Sequence, residues 1–254
     1  MINSFNIFGF TLHFYSLCIL VGAVLAYIII TKEAKKIKID SDFISNTIIY
    51  GLLIGIIGAR IYYVIFNLNY YINYPDEILK IWHGGLAIHG GIIAAAIFVY
   101  LYSKKYKENY IRLLDVILPG VILAQAIGRW GNFFNQEAYG IKVSKELLQK
   151  MLIPKFVIKG MFINGQYYLP MFYIESIVCI LGFIIILIIR KKSNKIGLIS
   201  GFYFVWYGLF RFIIEYFRTD SLMLGNIKIA MLVSVLSIII GIILIVTKNK
   251  KYKE

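Results

Sequence analysis

Seven stretches of mostly apolar residues alternate with polar connections along the chain. A helix needs about 20 mostly apolar residues to cross about 30 Å of hydrocarbon, and each stretch is long enough to do so. The stretches cover residues 11–31, 46–67, 84–103, 113–134, 171–190, 197–217 and 226–247. The pattern therefore predicts an all-α polytopic membrane protein with seven transmembrane helices, in a single integral membrane domain over residues 1–254.

Basic residues lie in four clusters that follow the first, third, fifth and seventh stretches. Because two crossings separate each cluster from the next, all four face one side of the membrane, and the positive-inside rule makes that side cytoplasmic. The clusters are Lys32, Lys35, Lys36 and Lys38; Lys104, Lys105, Lys107 and Arg112; Arg190, Lys191, Lys192 and Lys195; and Lys248, Lys250, Lys251 and Lys253. We therefore predict an N-terminus outside and a C-terminus in the cytoplasm. The polar and aromatic connection 135–170 then forms a small extracytoplasmic cap.

The composition excludes several classes of protein. Hydrophobic residues make up 60% of the chain and charged residues 16%, against about 45–50% and about 25% in soluble domains. The net charge of +14 would indicate a nucleic-acid partner in a soluble protein, but most of the surplus here lies in the four clusters, so we expect none. Cys18 and Cys179 lie in apolar runs, which excludes a disulfide framework and a cysteine zinc site. The opening residues lack a basic region and a small-residue cleavage site, so we expect no removable signal peptide.

Apart from Arg190 and Lys228 near the ends of their spans, eight charged or histidine residues lie inside the predicted stretches, where such groups are costly and usually face a cavity, one another or a ligand. They are His13, Arg60, His89, Asp115, Arg129, Glu175, Arg211 and Glu215. In the predicted topology all except Asp115 fall in the outer half of the membrane, which favours one site over scatter. Plainer roles exist: Arg60 can anchor at the outer headgroups, and Glu175 can neutralise an arginine. Arg211 and Glu215, spaced i,i+4, can simply form an ion pair.

A polar stripe follows one face of the sixth stretch. Tyr207 lies one turn before Arg211, and Arg218 follows Glu215 three residues later. The stripe carries a net positive charge, which favours an anionic ligand over simple pairing.

Two glycine-rich segments locate the expected site more closely. Residues 84–91, GGLAIHGG, place His89 between glycine pairs that permit close helix packing or an irregular backbone lining a cavity. Residues 128–140, GRWGNFFNQEAYG, gather many donors and acceptors at one span end. Arg129 and Asn132 share a helix face there, and a planar guanidinium suits a phosphate. No carboxylate or third histidine joins the histidines at helical spacing, so we predict no metal site.

These segments resemble the signatures of the prolipoprotein diacylglyceryl transferase family. Residues 128–140 match its long signature nearly position for position, residues 84–91 its histidine motif, and residues 207–218, YGLFRFIIEYFR, its late arginine–glutamate helix. Weaker agreement extends from Tyr15 through Arg60 to Asp220, so that the resemblance covers most of the chain.

The resemblance implies transfer of the diacylglyceryl group of phosphatidylglycerol to the lipobox cysteine thiol of a prolipoprotein signal peptide. Glycerol 1-phosphate would be released, and the reaction would be the first step of bacterial lipoprotein maturation. The family also implies seven transmembrane helices in the bacterial inner membrane, with the orientation predicted above and an active site facing the outer leaflet. It implies neither a metal nor a soluble cofactor.

The family motifs also imply roles for individual residues. His89, Arg211 and Glu215 fall on positions with catalytic roles, and Arg129 on the arginine that binds the lipid headgroup. The other implied substrate-binding residues are Asn132, Glu137, Gly140, Arg60 and Tyr15. The chain departs from the family beside the first tyrosine, with Phe14 and Ser16, and at the start of the fifth stretch, with Leu169 and Ile174. The second departure argues against an essential role for the polar residues of that stretch.

The mechanism expected from these residues leaves one step open. Either His89 accepts the proton of the attacking thiol, or the field of the arginines lowers the thiol pKa by itself. Two other classes of function fit the residues less well. A transporter would place polar groups at all depths, whereas the inner halves of most stretches here are nearly featureless. A non-catalytic lipid-binding protein could keep Arg129 but would have little use for His89 and Glu215.

Overall fold

The structure is a computed structural model that describes residues 3–7, 10–219, 222–225 and 227–247, most of them in helices. In chain order the helices of these residues are α1 (Phe14–Lys36), α2 (Ser41–Phe66), α3 (Leu68–Asn73), α4 (Ile88–Lys105), α5 (Tyr110–Asn135), α6 (Lys145–Lys150), α7 (Lys155–Gly160), α8 (Met171–Lys192), α9 (Leu198–Phe217) and α10 (Ile229–Thr247). Two short 3₁₀ turns, Pro75–Leu79 and Ile81–His83, precede α4. Each predicted stretch contains one long helix.

Six helices of the described residues are long and apolar enough to cross a membrane, namely α1, α2, α5, α8, α9 and α10. Many of their leucine and isoleucine side chains are not covered by other parts of the protein, as expected of surfaces that face lipid. The chain is therefore a multi-pass membrane protein. The helix of the third predicted stretch, α4, is not among the six, because a histidine, two glycines and two terminal lysines dilute its 18 residues.

The connections contain small antiparallel sheets that the sequence did not predict. The strands of the described residues are β1 (Ser4–Ile7), β2 (Phe10–His13), β3 (Lys142–Val143), β4 (Phe162–Ile163), β5 (Gln166–Tyr168), β6 (Met223–Leu224) and β7 (Ile227–Lys228). β1 pairs with β2, β6 pairs with β7, and β5 lies between β3 and β4. The connection 135–170 is ordered, since α6, α7 and the three-stranded sheet enclose Leu148, Val157 and Met161, and its place outside the membrane stays a prediction.

Three predicted spans begin too early. Residues 11–13 belong to β2 rather than to α1. The third begins at Ile88 rather than at residue 84, because Gly84 and Gly85 have φ of 87° and 76°, which no right-handed helix contains. The last begins at Ile229, and Asn226, where that prediction started, lies outside the described residues.

The chain divides into two compact units, and the divisions fall within α1 and close to the start of α5. The first unit comprises Met1–Ile30 and Leu114–Glu254. Its interior is formed by α5, α8 and α9, in whose most apolar segments 44%, 39% and 39% of the residues are buried, against 11% in α10. α10 packs on α9 through glycines, because a Cβ added at Gly241 would lie 2.6 Å from the carbonyl oxygen of Gly201.

The second unit, Thr31–Leu113, is built on the packing of α2 against α4. Glycines again allow the two helices to approach closely. A Cβ added at Gly58 would lie 2.2 Å from the Cβ of Ala94, and one added at Gly90 would lie 2.5 Å from the carbonyl oxygen of Gly58. The second glycine pair of the histidine motif therefore serves helix packing.

Asp115 links α5 to α9 within the first unit. Its carboxylate accepts hydrogen bonds from the backbone of Gly197 (2.6 Å) and Ser200 (2.7 Å), and so caps the start of α9. Pro119 has no N–H for the carbonyl oxygen of Asp115 four residues earlier, and Arg190 of α8 donates to that oxygen instead, at 3.0 Å. The buried acid outside the predicted outer site thus has a structural role.

Candidate active site

The last turn of α5 brings two of the predicted substrate-binding residues together. α5 ends at Asn135, and Gln136 adopts the left-handed conformation (φ 52°) that commonly terminates a helix. The chain turns back, so that the backbone N–H of Glu137 donates to the carbonyl oxygen of Asn132 at 3.0 Å. The side-chain amide of Asn132 in turn donates to Oε1 of Glu137 at 2.9 Å.

Glu175, near the start of α8, lies between the two predicted arginines of the first unit. Its Oε1 is 2.5 Å from Nη2 of Arg129, and its Oε2 is 3.4 Å from Nη1 of Arg211. Arg211 also pairs with Glu215 on its own helix, with 2.6 Å between Nη2 and Oε2. The hydroxyl of Tyr207 accepts from Nη2 of Arg129 at 3.3 Å and donates to Oε1 of Glu175 at 3.4 Å. We call this connected group of five side chains the arginine cluster.

The arginine cluster contains two positive and two negative side chains. The net positive charge expected along α9 is therefore offset, because Glu175 of the neighbouring α8 pairs with Arg211. The carboxylates are the more deeply buried groups: the side chains of Glu175 and Glu215 are 4% and 2% exposed, against 21% for Arg129 and 15% for Arg211. The exposed part of the arginine cluster is thus its cationic part.

Arg129 keeps much of its hydrogen-bonding capacity. Both of its protein partners, Glu175 and Tyr207, contact Nη2. Among the described residues no side chain or carbonyl accepts a hydrogen bond from its Nε or Nη1. A guanidinium presents five N–H donors in a planar fork that matches a phosphate, so Arg129 can bind one without losing its present partners.

Tyr15 and Gly140 contribute to the same unit in different ways. Tyr15, the second residue of α1, packs against Gly131 and interacts electrostatically with Glu137 and Arg129. Gly140 is buried, and its N–H donates to the carbonyl oxygen of Leu169 at 2.9 Å. A Cβ at Gly140 would lie 2.9 Å from the side chain of Met171, so this position requires glycine for packing.

Arg60 belongs to the second unit and is held almost entirely by backbone. Its Nε donates to the carbonyl oxygen of Ile78 (2.9 Å) and its Nη2 to that of Glu77 (2.6 Å). Nη1 donates to the carbonyl oxygens of Gly84 (2.7 Å) and Gly85 (2.9 Å). The guanidinium also lies over the ring of Tyr71, 5.2 Å from its centre. Four of its five donors are therefore occupied, unlike those of Arg129.

His89 is the second residue of α4 and is partly exposed. No hydrogen-bond partner for its ring is found among the described residues, so both ring nitrogens are available. The sequence left open whether the glycine pairs around His89 serve close helix packing or form an irregular backbone, and each pair does one of the two. Gly84 and Gly85 have positive φ and form an irregular backbone, whereas Gly90 and Gly91 lie against α2.

The loop before α4 also carries an ion-pair group outside the membrane spans. Lys80 contacts Asp76 at 2.7 Å and Glu77 at 2.8 Å, and His83 contacts Glu77 at 2.8 Å. Hydrogen bonds from Lys80, and for Glu77 also from His83, lower the pKa of both carboxyls. Within the described parts of the chain no three His, Cys, Asp or Glu side chains are grouped to hold a metal ion.

The structure therefore brings together six of the predicted residues in the first unit, and places His89 and Arg60 in the second. The six are Tyr15, Arg129, Asn132, Glu137, Arg211 and Glu215; the ninth predicted residue, Gly140, also lies in the first unit and packs against Met171. Asp220, the last residue of the resemblance, lies outside the described residues. Sequence reasoning gave Glu175 little weight, although it joins both arginines. The available signal was an acidic residue inside a predicted membrane span. Its partners could not be identified from the sequence, because they lie on two other helices.

Comparison with known proteins agrees with the resemblance. The family model described as prolipoprotein diacylglyceryl transferase matches residues 3–247. Relatives named phosphatidylglycerol–prolipoprotein diacylglyceryl transferase include that of Streptococcus uberis, 46% identical over 95% of this chain and 93% of its own. The relative from Streptococcus pyogenes serotype M1 is 48% identical over 94% of this chain and 92% of its own. That from Staphylococcus aureus strain MW2 is 46% identical over 98% and 89%. The chain belongs to the prolipoprotein diacylglyceryl transferase family.

Proposed function

We propose that this protein transfers the diacylglyceryl group of phosphatidylglycerol to the cysteine thiol of a prolipoprotein lipobox, and that the arginine cluster binds the phosphate of the lipid. Family membership and near-full-length relatives at 45–48% identity support the transferase activity. The open donors of Arg129 support the location of the site. A cation with unused hydrogen bonds inside a membrane segment is costly unless a ligand uses them.

The reaction is a displacement at the glycerol carbon that bears the phosphate. The thiolate sulfur forms a bond to that carbon, the carbon–oxygen bond breaks, and the electron pair leaves with glycerol 1-phosphate. Negative charge grows on the phosphate oxygens as this bond breaks. Arg129 and Arg211 stabilise that charge because they are already oriented by Glu175 and Glu215 before the lipid arrives.

The attacking thiol must lose its proton, since a cysteine of pKa about 8.5 is only slightly ionised near neutrality. We assign this proton to His89. The two cluster arginines are already paired with carboxylates, which weakens the positive field that would otherwise lower the thiol pKa. The ring of His89, by contrast, has no competing partner among the described residues. Asn132 and Glu137 offer a donor and an acceptor for the hydroxyl groups of the headgroup.

We further propose seven transmembrane helices in a bacterial inner membrane, with the N-terminus outside, the C-terminus in the cytoplasm and the site open to the outer leaflet. In this proposal α4 crosses the membrane in addition to the six long apolar helices. Its 18 helical residues extend about 27 Å, close to the thickness of the hydrocarbon layer. Impermeant maleimide on intact cells, after replacement of the native cysteines, tests the orientation. A cysteine at Lys145 in the cap should react, and one at Asn194 should not; the opposite pattern would reverse the topology.

The activity is tested with the full chain in vesicles containing acyl-labelled phosphatidylglycerol and a lipobox peptide. Label should appear on the peptide cysteine, and its absence with folded protein would overturn the transferase function. Arg129→Lys should lower kcat/KM about 10²-fold, because a lysine cannot bind the phosphate with a planar fork. Arg112→Lys, on the same helix outside the arginine cluster, is the matched control. Full activity of Arg129→Lys would overturn the site but not the function.

A further inference from the structure

The hydrogen bonds of Arg60 indicate a role other than lipid binding. Its side chain gathers four carbonyl oxygens from two separate places in one loop, Glu77–Ile78 and Gly84–Gly85. The residue is 7% exposed. To bind a phosphate it would have to release these oxygens: that of Glu77 also accepts from the N–H of Lys80 at 3.1 Å, but for those of Ile78, Gly84 and Gly85 no other donor is found among the described residues, and a carbonyl left without a donor is costly.

The loop that Arg60 holds leads directly into the helix of His89. We call residues 77–87 the strap. Gly84 and Gly85 turn their carbonyl oxygens toward the same guanidinium nitrogen by adopting positive φ. At the end of the strap the N–H of Ala87 donates to the carbonyl oxygen of Ala59, the neighbour of Arg60, at 3.1 Å. Both ends of the strap are therefore fixed to the same turn of α2.

We infer that Arg60 is a positioning residue, which fixes the strap on α2 and thereby sets the position of His89, and that it does not bind phosphatidylglycerol. The inference rests on the role proposed for His89. Holding the strap requires hydrogen bonds to four carbonyl oxygens in two segments, and the planar guanidinium of Arg60 can donate to all four. A lysine keeps the charge but presents a single point of donation, so it cannot hold both segments in the same geometry.

Two glycines offer a way to disturb the strap without removing the charge. A Cβ added at Gly85 would lie 2.5 Å from Nη1 of Arg60 and 2.8 Å from the ring of Tyr63. A Cβ added at Gly84 would meet nothing within 4 Å. Both positions have positive φ, so alanine is strained at each, and only Gly85→Ala also displaces the guanidinium.

The experiment measures kcat, KM for phosphatidylglycerol and amide hydrogen exchange of the strap, in the reconstituted full-length enzyme. Arg60→Lys and Gly85→Ala should lower kcat about 10²-fold by displacing a catalytic group, with KM unchanged within about twofold. Exchange in residues 77–87 should become faster in both. Gly84→Ala should show smaller changes in kcat and exchange. Rates are expressed per folded enzyme, so that a loss of folded protein does not count as a loss of kcat.

Three results would overturn the inference. KM rising while kcat stays constant would make Arg60 a lipid-binding residue. A lower kcat with unchanged strap exchange would separate Arg60 from the strap, and wild-type rates per folded enzyme would reduce it to a stabilising contact. Failure of the proposed role of His89 gives a different pattern: His89→Gln would then retain the wild-type rate, whatever Arg60→Lys does.

Discussion

Replacing Glu175 by alanine should destabilise the protein far more than breaking a similar ion pair elsewhere. The side chain is 4% exposed and contacts both Arg129 and Arg211. Removing one partner of a buried ion pair costs about 3–5 kcal/mol, because the remaining charge is left without compensation. Arg129 and Arg211 are 21% and 15% exposed and regain some hydration, so we expect the lower end, about 3 kcal/mol.

The matched control is Glu108→Ala. Its carboxylate lies 3.4 Å from Arg112, the same distance that separates Glu175 from Arg211, but these side chains are 30% and 23% exposed. A pair of this kind contributes about 0–1 kcal/mol. Denaturant-induced unfolding in one detergent, followed by circular dichroism, gives the free energy of unfolding of each variant. Equal losses for Glu175→Ala and Glu108→Ala would refute the reasoning that the arginine cluster depends on a buried shared carboxylate.

Three further predictions concern glycine packing, helix capping and proton transfer. Gly131→Ala should lose about 1–3 kcal/mol of unfolding free energy, because the new Cβ would lie 2.7 Å from the ring of Tyr15. Gly128→Ala meets nothing within 4 Å and should be neutral or up to about 1 kcal/mol more stable, so equal effects in a melting experiment would contradict the packing argument. Asp115→Ala should cost about 1–3 kcal/mol for each backbone donor it leaves unpaired at the start of α9, and unchanged stability would show that water replaces the carboxylate. His89→Gln should lower kcat about 10²–10⁴-fold without changing the melting temperature, and a wild-type kcat at saturating lipid would remove it from the mechanism.

The long helices could be predicted from the sequence because hydrocarbon imposes one length and one composition on every span. The start of α4 could not, since Gly84 and Gly85 carry no polar side chain that would mark a boundary, and only their backbone conformation excludes them from the helix. Glu175 was underestimated for a related reason. Its importance comes from Arg129 and Arg211 on two other helices, and no periodicity within α8 encodes that contact.

Arg60, Arg129 and Arg211 show why residue identity alone does not give function in a membrane protein. Each carries a charge that is costly in a membrane segment, so the distinguishing property is how the fold offsets that cost. Arg60 is satisfied by four backbone carbonyls, and Arg211 by two carboxylates. Arg129 directs one nitrogen to its partners and leaves two without an acceptor among the described residues. A phosphate adds most where the protein has supplied least, and for that reason we propose Arg129, rather than Arg60 or Arg211, as the main contact of the lipid phosphate.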